Sequence, residues 1–282
     1  MDNNAAKKLI LILWDFSPSS EIALQHAIQL GNVGNDELML LHLIPRGGLL
    51  GSLLASNTDA ETLTDLNRRL QATAGEIQTK HGFTPHTMVI EGSPKKELTN
   101  LVLNHNINLI VAHHTYSTKG KTYRTSDWLR GLVFKDITLP FIIANKAPAH
   151  SHYIEIAIPI YQDQSFKEAV QWIIQLSQYY HCNVNFIKPF ITEDLKKKQL
   201  ASNVYFTKKM LDGVGIIYGM KTAKKNTKFE DEVFRFADNI DADLIMVMSD
   251  KYGQLLDEAR EKAVHIPVMC VNTRIKKYQS FN

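Results

Sequence analysis

The sequence contains little cysteine and no long apolar run. Its 282 residues include two cysteines, Cys182 and Cys270, both in predicted strands of the second half, where a role as a small buried hydrophobe is typical of this residue. Scarce cysteine also accords with a reducing compartment. No stretch approaches the roughly 18 apolar residues that a spanning helix needs. The apolar run after Lys8 is too short for a signal-peptide core, so we expect a cytoplasmic protein without a membrane segment.

A large excess of charge of one sign is also missing. The formal net charge is +3, from 32 Lys and Arg residues against 29 Asp and Glu residues. The lysine clusters of the second half, at 196–198, 208–209 and 221–228, have acids interleaved or adjacent. A solvated helix face is the favoured interpretation of such clusters over nucleic-acid binding. We therefore expect neither nucleic acid nor a membrane surface as a partner.

Local signatures of several enzyme classes are absent. The sequence has no Gly-x-Ser-x-Gly elbow, no Walker A segment and no Gly-x-Gly-x-x-Gly fingerprint. No spacing of His and Cys matches a defined zinc or iron site. His113 and His114 end a predicted strand, and adjacent strand residues point to opposite faces, which predicts that they do not share a metal. The sequence favours a protein that is not an enzyme.

What the sequence does contain is a repeat of alternating strands and helices. The segment Leu24–Leu30 recurs as Val170–Leu176, and Leu139–Asn145 recurs as Ile266–Asn272. The offset between the copies shrinks along the chain, so the second copy has lost residues, including part of the loop after its fourth strand. Continuous apolar runs such as Leu9–Trp14 are typical of strands buried on both faces of a parallel sheet. The repeat predicts two tandem α/β domains with right-handed crossovers.

The predicted domains cover residues 1–146 and 152–282, and a proline-containing linker covers 147–151. Each domain is predicted to have five parallel strands in a doubly wound, Rossmann-like sheet. The apolar fifth strands, 140–145 and 267–272, would lie at sheet edges, and an apolar edge needs a cover. We therefore predict that these strands pair, so that domain 1 packs on domain 2 as a pseudo-dimer. A homodimer of the whole chain is a further expectation.

Three features together resemble the universal stress protein family in its tandem form, with two such domains in one chain. They are Asp15 after the first strand, Gly92-Ser93-Pro94 after the third, and Pro140 at the start of the fifth. The resemblance implies the adenine-nucleotide α-hydrolase-like variant of the Rossmann-like fold and a role in stress response. In the nucleotide-binding members, it also implies a glycine-rich phosphate loop after the fourth strand.

This chain departs from the family at that loop. The positions that align with three glycines and a Ser or Thr of the nucleotide-binding members are His113, Tyr116, Ser126 and Asp127. Glycine lets backbone amides approach a phosphate without a Cβ in the way, whereas an aspartate repels it. In the second copy the loop is shorter, and Tyr161 stands in place of the first-strand aspartate. We expect no cofactor, with ATP or AMP in domain 1 as the alternative.

The candidate ligand site is the crevice at the carboxyl ends of the domain 1 strands. The residues predicted to contact a ligand there are Asp15, Gly92, His113, Tyr116 and Ser126. The competing interpretation of Asp15 is a loop or helix cap, and that of Gly92 is a turn before a helix. The aromatic and basic loop after the fourth strand could bind a ligand, contact a partner or fold over the crevice. Filling the crevice or contacting a partner is favoured.

The sequence thus favours a non-catalytic stress-response protein that acts through an unidentified partner protein or small ligand. The alternative is a nucleotide-binding regulator with weak ATPase activity in domain 1, which would use Asp15 and the Gly92 loop without the usual glycines. A third class, an enzyme acting on a small acid, is supported by His113 and Asp15 alone.

Overall fold

A computed structural model describes residues 7–45, 62–133, 139–163 and 165–272. The chain forms two compact units, residues 1–135 and 136–282. This division falls before the predicted linker, since the segment after residue 139 pairs with a strand of the second unit. Both cysteines are free and buried, as predicted. Within the described ranges, no helix is long and apolar enough to cross a membrane.

The first unit is a parallel sheet flanked by helices. Its strands are β1 (Leu9–Leu13), β2 (Glu37–Pro45), β3 (His86–Gly92) and β4 (Ile107–Ala112). They lie in the order β4-β1-β2-β3, and every pairing is parallel. The central strand β1 is almost completely buried, which explains its uninterrupted apolar sequence.

The described part of the first unit contains four helices. They are α1 (Pro18–Gly34), α2 (Leu63–His81), α3 (Pro94–Asn104) and α4 (Thr125–Val133). Helix α1 ends at Asn35, which adopts the left-handed conformation with φ 52°. A Cβ at Gly31 would lie 3.2 Å from Cδ2 of Leu38. This glycine therefore lets α1 approach β2 closely.

Between β4 and α4 the chain forms a hairpin, in the segment that the sequence predicted only as an aromatic and basic loop. Its antiparallel strands are β5 (Thr115–Thr118) and β6 (Lys121–Arg124). Lys119 and Gly120 form the turn, with φ values of 48° and 69°. The two strands pair only with each other, as a separate two-stranded sheet.

The second unit repeats the α/β pattern. Its strands are β7 (Phe141–Ile143), β8 (Glu155–Pro159), β9 (Asn183–Lys188), β10 (Tyr218–Thr222), β11 (Leu244–Met248) and β12 (Val268–Val271). Its helices are α5 (Phe166–Tyr180), α6 (Asp194–Gly213), α7 (Phe229–Asn239), α8 (Ser249–Leu255) and α9 (Glu258–Ala263). The strand order is β10-β9-β8-β11-β12-β7.

The predicted pairing of the two proline-led strands is confirmed. Strand β7 pairs antiparallel with β12, with Ile142 opposite Met269 and Phe141 opposite Cys270. All other pairings in this unit are parallel. Both strands are fully buried, as expected where two apolar edges cover each other. The packing of two predicted domains as a pseudo-dimer stays a prediction.

Candidate functional site

The β5–β6 hairpin is bonded to the carboxyl ends of three strands of the first unit. Tyr116 bonds to backbone groups at the ends of β1 and β2, and Ser117 bonds to Asp15 just after β1. At the turn of the hairpin, Nζ of Lys119 lies 3.4 Å from Oε1 of Glu91 in β3. The hairpin therefore covers the crevice in which open α/β sheets bind ligands. This confirms the interpretation that the loop folds over the crevice.

Tyr116 is the part of the hairpin that enters the unit. Its side chain is 1% exposed. The backbone N–H of Leu43 donates to its hydroxyl at 2.6 Å, and the hydroxyl donates to the carbonyl of Trp14 at 3.1 Å. Both hydrogen-bonding roles of the hydroxyl are thus satisfied by backbone groups. Burial raises the pKa of this phenol far above its ordinary value, so the side chain is neutral.

His42 completes the contacts around the Tyr116 hydroxyl. Its Nδ1 lies 2.8 Å from the carbonyl oxygen of Trp14 and 3.2 Å from the hydroxyl. A carbonyl oxygen only accepts, so Nδ1 carries the proton in this arrangement. The imidazole ring contacts Phe16, with the ring centroids 4.9 Å apart. His42, which is buried in β2, thus contacts both the Tyr116 hydroxyl and the backbone carbonyl to which that hydroxyl donates.

Aromatic side chains also pack around the hairpin. Trp128 of α4 contacts both Tyr116 and Tyr123, with ring centroids 5.2 and 5.1 Å apart. On the β1 side, the guanidinium carbon of Arg69 lies 4.1 Å from the ring centroid of Phe16. Phe16 has φ 63°, an uncommon conformation for a bulky residue. Backbone strain is thus present directly after Asp15, at the end of the central strand.

Asp15 accepts hydrogen bonds with both carboxylate oxygens. Oδ1 accepts from the backbone N–H of Ser17 at 3.0 Å and from the hydroxyls of Ser17 and Ser20 at 2.5 and 2.7 Å. Oδ2 accepts from the backbone N–H of Ser117 at 2.7 Å. Burial opposes ionisation, but the bonds from Ser17, Ser20 and Ser117 prevail, and the pKa of Asp15 lies below its ordinary value. The capping interpretation of Asp15 is confirmed, and a ligand contact stays a prediction.

His113 and His114 lie side by side, contrary to the expectation that they point to opposite faces. Their ring centroids are 4.2 Å apart, and Nε2 of His113 lies 3.1 Å from Nδ1 of His114. The expectation was wrong because β4 ends at Ala112, so neither residue follows strand geometry. Both are half-buried at the base of the hairpin.

The other two predicted site residues lie at different places around the hairpin. Gly92 ends β3, and a Cβ there would lie 2.7 Å from Cγ of Glu97 in α3, so glycine permits this close approach. Ser126 is fully buried in the first turn of α4. The structure thus brings Asp15, His113 and Tyr116 together, with Gly92 near the hairpin turn and Ser126 near its base. Their contact with a ligand stays a prediction.

Comparison with known proteins gives a family match for part of the first unit. Residues 7–121, less than half of the chain, match the model of the Universal stress protein family. Over this segment the chain is similar to universal stress proteins. A search of curated proteins finds no match. The matched segment includes Asp15, the Gly92 turn and the first strand of the hairpin.

Two solved universal stress proteins share the fold over nearly the whole chain. One, from Archaeoglobus fulgidus DSM 4304, has a TM-score of 0.61 at 14% identity, covering 95% of this chain and 100% of that one. A putative universal stress protein from Pseudomonas aeruginosa UCBPP-PA14 has a TM-score of 0.59 at 12% identity, covering 95% of this chain and 94% of that one. At these identities the likeness shows the fold alone.

In the second unit, Tyr161 stands where the first unit has Asp15. Tyr161 is 3% exposed, and its hydroxyl has no hydrogen-bond partner among the described residues. Nζ of Lys251 lies 5.5 Å from its ring centroid and pairs with Asp163 at 2.7 Å. Nδ2 of Asn203 donates to the carbonyls of Tyr161 and Asp163, both at 2.8 Å. The loop after β8 is thus held by protein groups, as the loop after β1 is.

The contacts that sequence reasoning missed are mostly those of backbone atoms. The N–H of Leu43 and the C=O of Trp14 bond to Tyr116, and no side-chain pattern marks them. The hairpin itself left a signal, since Lys119-Gly120 stands midway between two short segments, 115–118 and 121–124, that each contain Thr and Tyr. A glycine-containing turn between two segments rich in Thr and Tyr is typical of a hairpin.

Proposed function

We propose that this chain is a non-catalytic stress-response protein that works without a bound nucleotide and acts through partner contacts. In this proposal the crevice of the first unit is filled by the chain's own hairpin. The observation that carries it is the Tyr116 hydroxyl, which lies between the N–H of Leu43 and the C=O of Trp14. Any planar ligand in the crevice would have to displace this side chain and take over its bonds.

The state of Asp15 supports the same proposal. Four protein donors already bond to its carboxylate, and one of them is the hairpin amide of Ser117. A ribose hydroxyl or a base N–H group could bond to Asp15 only in exchange for one of these donors. This exchange lowers the affinity of the protein for the ligand, because each displaced donor must find water or another acceptor.

The chemistry of the loop is also unfavourable for phosphate. The hairpin turn carries Lys119, but this cation lies against Glu91. Asp127 lies in the first turn of α4, where a phosphate would need positive charge and free amides. A triphosphate would therefore meet a carboxylate at the helix end that usually favours an anion.

The absence of catalysis is proposed on the same contacts. His113, which together with Asp15 supported the enzyme alternative, bonds to Thr115 and His114. Within the described part of the chain, no group of three or more His, Cys, Asp or Glu residues could hold a metal ion. We infer that the surface of the protein, in contact with a partner protein or a second copy of the chain, carries its role.

The test is a search for bound nucleotide in the purified protein. The full chain is denatured, released small molecules are identified by mass spectrometry, and thermal shift is measured with ATP, with AMP and without ligand. We expect no nucleotide and a change in melting temperature within the error of the blank. Stoichiometric nucleotide, or a rise of several degrees that Asp15→Ala abolishes, would support the nucleotide-binding regulator instead. Static light scattering on the same sample decides whether a second copy is a partner.

A further inference from the structure

The histidine pair at the base of the hairpin is held in one protonation state. The backbone N–H of Thr115 donates to Nδ1 of His113 at 3.3 Å, so Nδ1 is the unprotonated nitrogen of that ring. Nε2 of His113 therefore carries the proton and donates to Nδ1 of His114 at 3.1 Å. The bonds run in one direction, from Thr115 to His113 to His114.

This arrangement requires both histidines to be neutral. A proton added at Nδ1 of His113 would face the N–H of Thr115, and a proton added at Nδ1 of His114 would face the Nε2–H of His113. Either addition places two donors against each other and removes a bond. With ring centroids 4.2 Å apart, two charged imidazoles would also repel each other.

The histidine pair is joined directly to the hairpin. Thr115 is the first residue of β5, and the carbonyl of His114 accepts the N–H of Thr125 at 3.0 Å, which closes the base. The charged groups around this base are the Asp15 carboxylate and the ion pair of Arg124 with Asp127 at 3.8 Å. At the far end, Lys119 lies against Glu91. Protonation of the histidines therefore acts on one end of the β5–β6 hairpin. A two-stranded hairpin is only marginally stable by itself.

We propose that the hairpin is an acid-released plug: it fills the crevice while both histidines are neutral, and protonation of the pair releases Tyr116 from the crevice. Release frees the N–H of Leu43 and Oδ2 of Asp15, whereas the C=O of Trp14 keeps its hydrogen bond from His42. The crevice then opens without unfolding of the β4-β1-β2-β3 sheet. This inference concerns the hairpin alone and holds whether or not the proposed stress-response role is correct.

The direction of the pH dependence follows from the histidine environment. Burial and the neighbouring His114 lower the pKa of His113, and they outweigh a backbone hydrogen bond with Thr115 and the attraction of Asp15, which both raise it. In the docked state, Tyr116 lies in the crevice, and in the released state it does not. A docked state with a lowered histidine pKa binds protons less tightly than the released state. Docking is therefore fully stable above the ordinary histidine pKa of about 6.5 and is lost as the pH falls below it. Because the docked state excludes one proton that the released state binds, the ratio of docked to released hairpin falls about tenfold for each pH unit below about 6.5.

The experiment is amide hydrogen exchange of the full chain, resolved to single residues and corrected for the intrinsic pH dependence of exchange. The reporters are the amides of Ser117 and Leu43, which bond to Asp15 and Tyr116, and the Ile12 amide in β1 reports on unfolding of the sheet. From about pH 7.5 to 5.5 we expect protection of both reporters to fall about tenfold. Protection of Ile12 should be unchanged.

The decisive variant is His113→Asn/His114→Asn, in which each Asn places an oxygen acceptor near the original Nδ1 and cannot take up a proton. It should keep both reporters protected at the lower pH. The control is His105→Asn, an exposed histidine at the end of α3, which should behave like the wild type. Should the double variant fail to fold, His114→Asn alone is measured in the same way.

Three results would overturn the inference. One is unchanged protection of Ser117 and Leu43 in the wild type at the lower pH. Another is a loss of protection that persists in the asparagine variants. The third is simultaneous loss at Ile12, since this would mean that acid unfolds the unit rather than releasing the hairpin.

Discussion

The hydroxyl of Tyr116 accepts a hydrogen bond from the backbone N–H of Leu43 at 2.6 Å, between residues 73 positions apart in the chain. This bond joins the hairpin to the second strand of the sheet. Leu43 is buried, so its N–H cannot turn to water when the hydroxyl is removed. The stability of the first unit should therefore depend on a single oxygen atom of the hairpin.

Replacing Tyr116 with Phe removes that oxygen and keeps the ring. The N–H of Leu43 then loses its acceptor, and we expect the free energy of unfolding of the first unit to fall by about 1–3 kcal/mol. Urea denaturation followed by Trp128 fluorescence measures this change. Tyr123→Phe is the control, because Tyr123 also contacts Trp128 but is only half-buried in β6. A loss as large in the control would show that the Leu43 bond is not the cause.

The same substitution at Tyr161 should have the opposite consequence. The Tyr161 hydroxyl is buried without a hydrogen-bond partner among the described residues. Tyr161→Phe removes a polar atom that costs free energy to bury, so the second unit should keep or gain stability, by up to about 1 kcal/mol. Thermal and urea denaturation of the variant against the wild type test this. A loss above about 1 kcal/mol would mean that the hydroxyl has an acceptor, such as a buried water.

Asp15→Asn should weaken the hairpin in particular. The amide oxygen of the variant would take the Oδ1 position with its three donors, which turns the NH₂ group toward the N–H of Ser117. Two donors then face each other, at a cost of about 1–3 kcal/mol. Glu76→Gln on the exposed face of α2 is the matched control. Urea denaturation at neutral pH should separate the two variants, and equal stabilities would contradict the assigned bonds.

The stability advantage of the wild type over Asp15→Asn should also depend on pH. Hydrogen bonds to the carboxylate hold the pKa of Asp15 below its ordinary value despite burial. The advantage is therefore fully present above about pH 4 and is lost as the pH falls through the lower folded pKa. Measuring it in the His113→Asn/His114→Asn background keeps the histidine pair from titrating in the same range. An advantage that vanished well above about pH 4 would mean that another group is titrating.

His150 in the second unit should stabilise the fold most at acid to neutral pH. Its Nδ1 lies 2.6 Å from Oδ1 of Asp243, whose Oδ2 accepts the N–H groups of Ile154 and Glu155. The bond and attraction of Asp243 raise the pKa of His150 above its ordinary value, with a smaller contribution from Asp241. The stabilisation is complete below the ordinary histidine pKa of about 6.5 and is lost as the pH rises through the raised one.

The measurement is the melting temperature of the wild type and of His150→Asn between about pH 6 and 9. The difference between them should be largest at the acid end and shrink toward the alkaline end. His152→Asn is the control, since His152 is exposed and bonds only to its neighbour Ser151 among the described residues. A difference that stayed constant with pH would mean that the charge of His150 contributes nothing.

Sequence patterns alone predict the class of fold and the pairing of two strands. The side chains of continuous apolar runs such as β1 and β12 are all buried only where both faces of the strand are covered. The alternation of such strands with helices predicts a parallel sheet. The same argument predicted that the apolar edges at 140–145 and 267–272 would cover each other, and β7 and β12 do pair. Local patterns suffice here because burial of each segment depends on its own composition.

What fills the crevice, in contrast, depends on contacts that form only in the folded chain. Tyr116 rests between the amide of Leu43 and the carbonyl of Trp14, groups that nearly every residue type possesses and no sequence pattern distinguishes. The side-by-side arrangement of His113 and His114 likewise depends on where β4 ends, and a one-residue change in that position redirects both rings. Composition determines which segments are buried. Where a hairpin rests and which backbone atoms it bonds depend on contacts between segments far apart in the chain.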